Sequence, residues 1–230
     1  MAVDESGYVW VGLHDGRGVS LLNHKGSLDN RDNDTWITFT EAAGLPKGHT
    51  WVEDIAIDSQ GRLWFGHSLG ATLLDHKGTP FFKEDDTWVD FSDATVGLSY
   101  RFVNVIFEDS QGCMWFGGDS GVSRDCGALP VILNVPSCTN YCWSVQWLGY
   151  VWDIDQDQNG NIWIADGSCG AAKLTGNQWS LCDTTHPDCP ILSDNDGSDD
   201  GVRSVEVDPN NSVWFGTRGK DVARLNGFDD

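Results

Sequence analysis

Apolar and polar residues alternate along the chain in short runs with a period of two. The runs VEDIAID (52–58), VNVIFED (103–109), VWDIDQD (151–157) and VRSVEVD (202–208) each read as a half-buried strand. Each runs into a turn and then a Trp-bearing strand: DSQGRLWFG (58–66), DSQGCMWFG (109–117), DQNGNIWIA (157–165) and DPNNSVWFG (208–216). A further copy, DESGYVWVG (4–12), opens the chain. The Trp residues are Trp10, Trp64, Trp115, Trp163 and Trp214, spaced by 54, 51, 48 and 51 residues. In the last copy Asn211 stands where the others have Gly, and Asn also tolerates a left-handed backbone.

We name the strand before the turn A and the Trp strand B. A short loop leads to strand C: GVSLLN, GATLLD, GVSRDC, GAAKLT and DVARLN. Three copies show a fourth strand D with its own Trp: DTWITFT (34–40), DTWVDFS (86–92) and NQWSLCD (177–183). No helical period competes. Four short antiparallel strands, repeated radially, predict an all-β fold: a five-bladed β-propeller of four-stranded antiparallel blades, the last with room to lack its outer strand, in one domain over 1–230. A B–C hairpin places Arg62 opposite Asp75 and, one blade later, Cys113 opposite Cys126. An ion pair and a disulfide are expected there.

The pattern V-x-x-I-x-x-D-x-x-G-x-[LVM]-W-[FIV]-G resembles the two-component regulator propeller repeat. It is similar, more loosely, to the repeat of the streptogramin lyase propellers. The first resemblance covers nearly the whole chain and implies an extracytoplasmic sensor-type propeller, since such repeats build the sensor domains of many bacterial hybrid kinases. The chain departs from that family in carrying five copies, where such sensors usually carry many more, and in its seven Cys. It contains no kinase or transducing segment, so the resemblance does not extend to signalling itself.

What recurs in every blade reads as scaffold: the strand-B Trp as packing between blades, and Asp4, Asp58, Asp109, Asp157 and Asp208 as turn formers. His24 and His76, in a recurring HKG segment, read as solvated loop residues. Beyond the strand-B and strand-D Trp, four remain: Trp51, Trp143, Trp147 and Trp152. All lie in D–A connections or at the start of strand A. Because chain direction alternates through a blade, D–A and B–C loops share one face. Four Trp near that face predict a stacking surface for sugars or another flat ligand; packing within irregular loops is the competing reading. The same face carries His14, Asp15, His67, Asp119, Asp166, Arg203 and Arg218 as a polar lining.

Charge narrows the partners. With 14 Lys+Arg against 35 Asp+Glu the net charge is −21, which disfavours nucleic acid and anionic membranes. No run is long and apolar enough to insert in a membrane as a helix, and MAVDESGYVW lacks the pattern of a signal peptide. A small molecule or glycan, or other domains of a longer parent chain, are the expected partners. No cofactor is required. Calcium is the one ion the acidic runs invite, with Asp194, Asp196, Asp199 and Asp200 as candidates, although the run does not fit an EF-hand. The Cys spacings suit Cys138–Cys142 and Cys182–Cys189 loop closures beside Cys113–Cys126, leaving Cys169; other partitions using Cys169 stay open. Disulfides imply a secreted or periplasmic setting. The leading expectation is therefore an extracytoplasmic ligand-binding or sensing propeller. One alternative is a polysaccharide lyase or glycoside hydrolase using Glu53, Asp54, Asp153 and His67. Another is a non-catalytic scaffold cut from a larger protein.

Overall fold

The computed structural model describes residues 1–13, 17–26, 31–43, 45, 51–92, 98, 102–119, 121–127, 131–133, 150–167, 170–182, 201–217 and 222–225. These form five antiparallel sheets in sequence order. Blade 1 holds Ala2–Val3, Val9–Gly12, Val19–Asn23 and Thr35–Phe39; blade 2 holds Val52–Ile57, Leu63–His67, Gly70–Asp75 and Thr87–Ser92. Blade 3 holds Val103–Glu108, Met114–Gly118, Gly121–Asp125 and Val131–Leu133; blade 4 holds Val151–Gln156, Ile162–Asp166, Gly170–Thr175 and Gln178–Cys182. Blade 5 has three strands among the described residues, Val202–Val207, Val213–Thr217 and Val222–Leu225. The five-bladed propeller reading holds; the residues after Leu225, where an outer strand of the last blade would start, lie outside the described residues. Among the described residues the only helical turns are short 3-10 segments, and no helix is long and apolar enough to cross a membrane.

The Asp-x-x-Gly-x-x-Trp spacing closes a clasp. Asp58 Oδ1 accepts the amides of Gln60 (3.0 Å) and Arg62 (2.9 Å), while Oδ2 accepts Trp64 Nε1 at 2.9 Å. Asp4–Trp10 (3.0 Å), Asp109–Trp115 (2.8 Å), Asp157–Trp163 (2.9 Å) and Asp208–Trp214 (2.9 Å) repeat the last bond. The sequence reading had the Asp as a turn former; its second oxygen also holds the indole. At the turn Gly61 has φ +75°, and Asn211 adopts φ 62° in its place, as expected.

Each Trp enters the gap toward the next blade. Trp10 packs with Val52, Ile55 and Phe65 of blade 2; Trp64 with Val103, Ile106 and Phe116 of blade 3. Trp115 meets Val151, Ile154 and Ile164 of blade 4, and Trp163 meets Val202, Val205 and Phe215 of blade 5. The core is thus a series of inter-blade layers. On strand C a cation sits directly across from the later indoles: Arg124 over Trp115 (5.3 Å), Lys173 over Trp163 (5.0 Å) and Arg224 over Trp214 (4.9 Å).

Cys113 and Cys126 are disulfide-bonded with Cα atoms 4.3 Å apart, as the hairpin register required. The expected Arg62–Asp75 ion pair does not form. Arg62 Nε reaches back to Asp58 Oδ2 at 2.7 Å, and Asp75 takes Lys77 instead, which holds the Asp75 carboxyl below its ordinary value. His24 and His76 are half-buried, not solvated, and the His76 ring stacks on Trp10 at 6.0 Å.

Candidate binding face

In blades 2 to 5 the A–B ladder slips by one residue at the same place. Val52 pairs with His67 but Asp54 with Gly66, leaving Glu53 extra; the same slip isolates Asn104, Trp152 and Arg203. Each is a bulge near the loop end of the A strand, where a bulge re-aims a side chain. Four blades thus present Glu, Asn, Trp and Arg from one structural position. Sequence reasoning had noticed three of them and missed Asn104, whose Nδ2 donates to Val151 O at 3.1 Å. The signal was available as a column of the repeat alignment in which every copy differs.

The bulges of blades 4 and 5 meet. Arg203 Cζ lies 4.1 Å from the Trp152 ring centroid, and Tyr150 stacks on Trp152 at 5.9 Å and 28°. Trp152 is half-buried and Tyr150 is 54% exposed. Trp152 Nε1 is buried and makes no hydrogen bond. It lies against Gly167, where a Cβ would come within 2.4 Å of it, so this loop position needs Gly. Tyr150 was not anticipated; it sits two residues before Trp152 in the same extended segment, a spacing that puts both on one side.

The other anticipated residues scatter. Trp51 is 45% exposed and Glu53 is exposed, and Asp119 is half-buried. His67 and Asp166 are buried at 0% exposure, which corrects their placement on an open lining. His67 Nε2 pairs with Thr72 Oγ1 at 2.9 Å and Nδ1 accepts the Leu69 amide at 3.2 Å, so the ring braces its own B–C hairpin. His14, Asp15, Trp143, Trp147, Arg218 and the calcium candidates Asp194, Asp196, Asp199 and Asp200 lie outside the described residues, as do Cys138, Cys142, Cys169 and Cys189. Cys182 is placed at the end of its strand, with its side chain undescribed. Among the described residues no group of three or more His, Cys, Asp or Glu is set to hold a metal ion.

Asp54 and Asp153, candidates for acid–base work, act as staples between blades. Asp54 accepts Ile55 N (2.8 Å) and, from blade 3, Ile106 N (2.8 Å). Asp153 accepts Ile154 N (3.0 Å) and, from blade 5, Val205 N (3.0 Å). Asp155 repeats the arrangement with Val207 N at 2.6 Å. Burial raises the Asp153 carboxyl to about 6, with Asp155 and Asp54 pushing the same way and the two amides resisting. Burial also raises Asp54 and Asp155. Each carboxylate spends both oxygens on backbone amides, so neither Asp54 nor Asp153 offers an oxygen free of protein partners.

The two-component regulator propeller family matches residues 44–68 and 97–120, two of the turn-and-Trp segments. Both matched segments are two-component regulator propeller repeats. No curated protein matches the chain. Among solved structures, the chain superposes on the extracellular domain of the hybrid two-component system BT3049 of B. thetaiotaomicron (TM-score 0.65, 18% identity, 97% of this chain and 26% of that one). It also superposes on PorZ, a surface component of the type-IX secretion system of Porphyromonas gingivalis (0.69, 18%, 94% and 30%). A third match is virginiamycin B lyase of Staphylococcus aureus (0.64, 14%, 98% and 68%). At these identities the likeness is one of fold. The chain spans 26% and 30% of the first two proteins, well under two thirds of either.

Proposed function

We propose that this propeller is an extracytoplasmic sensing or binding domain whose ligand, a carbohydrate or flat small molecule, docks on the bulge-bearing loop face at Tyr150, Trp152 and Arg203. The observation that carries the reading is the Arg203–Trp152–Tyr150 stack: two aromatic rings and a guanidinium held together at positions that the repeat itself does not require. A ring face suits the apolar face of a sugar, and the guanidinium fork suits paired hydroxyls or a carboxylate. A preformed platform needs little ordering when a ligand arrives. The Cys113–Cys126 disulfide, together with the extracellular domain and the surface component among the superposed structures, supports a secreted or periplasmic location.

The test is a glycan array followed by calorimetry on any hit, with Trp152→Ala and Tyr150→Ala alongside. Binding that falls tenfold or more in both variants supports the platform. Binding unaffected by either moves the site elsewhere. The catalytic alternative would have to use Asp153, whose carboxyl burial raises to about 6 but whose two oxygens accept the Ile154 and Val205 amides. Polysaccharide turnover abolished by Asp153→Asn in a protein of unchanged stability would favour it.

A further inference from the structure

The Cys113–Cys126 bond crosses a hairpin that does not need it. The counterparts of Cys113 in the other blades are Tyr8, Arg62, Asn161 and Ser212, none of them cysteine. Their B–C hairpins nonetheless pair the Trp with the same strand-C position. At Cys113 the turn holds the backbone: its amide donates to Asp109 Oδ1 at 3.0 Å, and its carbonyl accepts the Asp109 amide at 2.9 Å. The loop closed by the disulfide is short, a separation of 13 residues, which is the weak end of cross-linking by chain entropy.

The two sulfurs differ in access and share one cation. Cys126 is exposed, whereas Cys113 is 4% exposed. Arg124 Nε donates to Cys126 Sγ at 3.0 Å, and Nη2 donates to Cys113 Sγ at 3.2 Å. Asp109 Oδ2 lies 3.9 Å from Arg124 Nε and is bonded to Trp115 Nε1, so it balances part of the guanidinium charge without taking those donors. Blade 5 shows the same arrangement without a cross-link. Arg224, at the position of Arg124, gives Nη2 to Ser212 Oγ at 2.9 Å, with Asp208 Oδ2 4.0 Å away. Ser212 stands at the position of Cys113 and is as deeply buried, 3% exposed. An arginine in this place therefore serves a single, unlinked acceptor in a folded blade.

We propose that Cys113–Cys126 is a thiol-exchange site, in which a small external thiol modifies Cys126 and Cys113 is the leaving group. A thiolate RS⁻ attacks the exposed Cys126 Sγ. The new RS–Sγ bond forms as the Cys113–Cys126 bond breaks, and the electron pair of the broken bond stays on Cys113 Sγ. Arg124 Nη2 is already placed to stabilise that charge, which makes Cys113 the better leaving group. One disulfide replaces another, with no net oxidation or reduction. Attack by the Cys113 thiolate on Cys126 Sγ expels RS⁻ and recloses the bond. Attack by a second RS⁻ on the added sulfur instead releases RSSR and leaves Cys126 as a thiolate beside Arg124 Nε. The site lies at the turn end of blade 3, opposite the loop end that carries Tyr150, Trp152 and Arg203 in blades 4 and 5, so it acts independently of that face.

The test incubates the folded 230-residue chain with excess cysteamine, quenches with acid, and maps adducts by non-reducing peptide mass spectrometry. The cysteamine adduct should sit on Cys126 at least about tenfold more often than on Cys113. Arg124→Gln should slow its formation by about tenfold, and Arg124→Lys, which keeps the charge, by less. Adducts shared equally between the two sulfurs would overturn the proposal. So would an Arg124→Gln variant that melts as the unaltered chain does and exchanges as fast. Should Arg124→Gln not fold, the unaltered chain decides alone through its urea dependence. A rate that is flat in urea below the unfolding transition belongs to the native hairpin and supports the site. A rate that climbs with urea throughout belongs to the unfolded chain and sinks it.

Discussion

The two ends of each blade treat the repeat in opposite ways. At the A–B turn end every copy closes the same Asp–Trp clasp, with bonds of 2.8–3.0 Å in all five blades. At the loop end every copy of blades 2 to 5 makes the same backbone bulge but mounts a different side chain on it: Glu53, Asn104, Trp152 or Arg203. The first end repeats chemistry, because the indole must be oriented before the next blade can pack on it. The second repeats only geometry, which leaves the side chain available for recognition. Four measurements test that contrast.

The largest effect belongs to the clasped indole itself. Trp115→Ala removes a ring 1% exposed at the centre of the blade 3–4 layer and should destabilise by ~3–5 kcal/mol in denaturant titration. A loss below about 1 kcal/mol would mean the layers are not the core. Next comes its holder. Asp109→Ala leaves the Trp115 Nε1, Gln111 and Cys113 donors without their acceptor and should cost about 2–3 kcal/mol, although it deletes no apolar surface. If Asp109→Ala costs no more than an exposed loop substitution, the turn alone explains the recurring spacing and the clasp is incidental.

The third effect is one of pH. Asp153 titrates at about 6 in the folded chain against an ordinary 3.8. Between those values the folded protein keeps a proton that the unfolded chain has lost, so stability falls as pH rises from about 4 to about 6. The size is about 1–2 kcal/mol after allowance for partial solvent screening. Asp153→Asn should remove that fall, so the wild-type-minus-variant stability difference should decline from pH 4 to 6. Asp54 and Asp155 act in the same direction. Asp75 and Asp208 act in the other: their carboxyls sit below the ordinary value, and the stability they add at neutral pH is lost as pH falls through their folded-state pKa. A difference curve that rises between pH 4 and 6 would show Asp153 to be favourably solvated or paired.

The smallest effect on stability is expected at the loop face. Trp152→Ala removes a half-buried ring outside the inter-blade layers and should cost less than about 1 kcal/mol, while ligand binding weakens by ~1–3 kcal/mol. Should Trp152→Ala prove as damaging as Trp115→Ala, the bulged ring is packing and the contrast between the two ends fails.

Local spacing along the chain is enough to specify the repeat. Period-two runs, turn chemistry and Trp at a near-constant interval specify five antiparallel blades, and two Cys directly opposed on a hairpin specify their disulfide. These are short-range consequences of backbone geometry, so one copy of the repeat predicts the next. Whatever depends on a neighbour emerges only once the blades pack. Arg62 chose Asp58 over Asp75 because the clasp presents a carboxylate four residues away, already fixed and buried. His67 turned inward to brace a hairpin, and Asp54 and Asp153 became staples because the next blade's amides arrive within bonding distance. Arg203 found Trp152 from the adjacent blade, 51 residues away in sequence. Above all, equal motifs do not make equal layers: Trp214 has the same partners along the chain as Trp115, yet it is 36% exposed where Trp115 is 1% exposed, because burial depends on what packs against the ring and not on its own repeat.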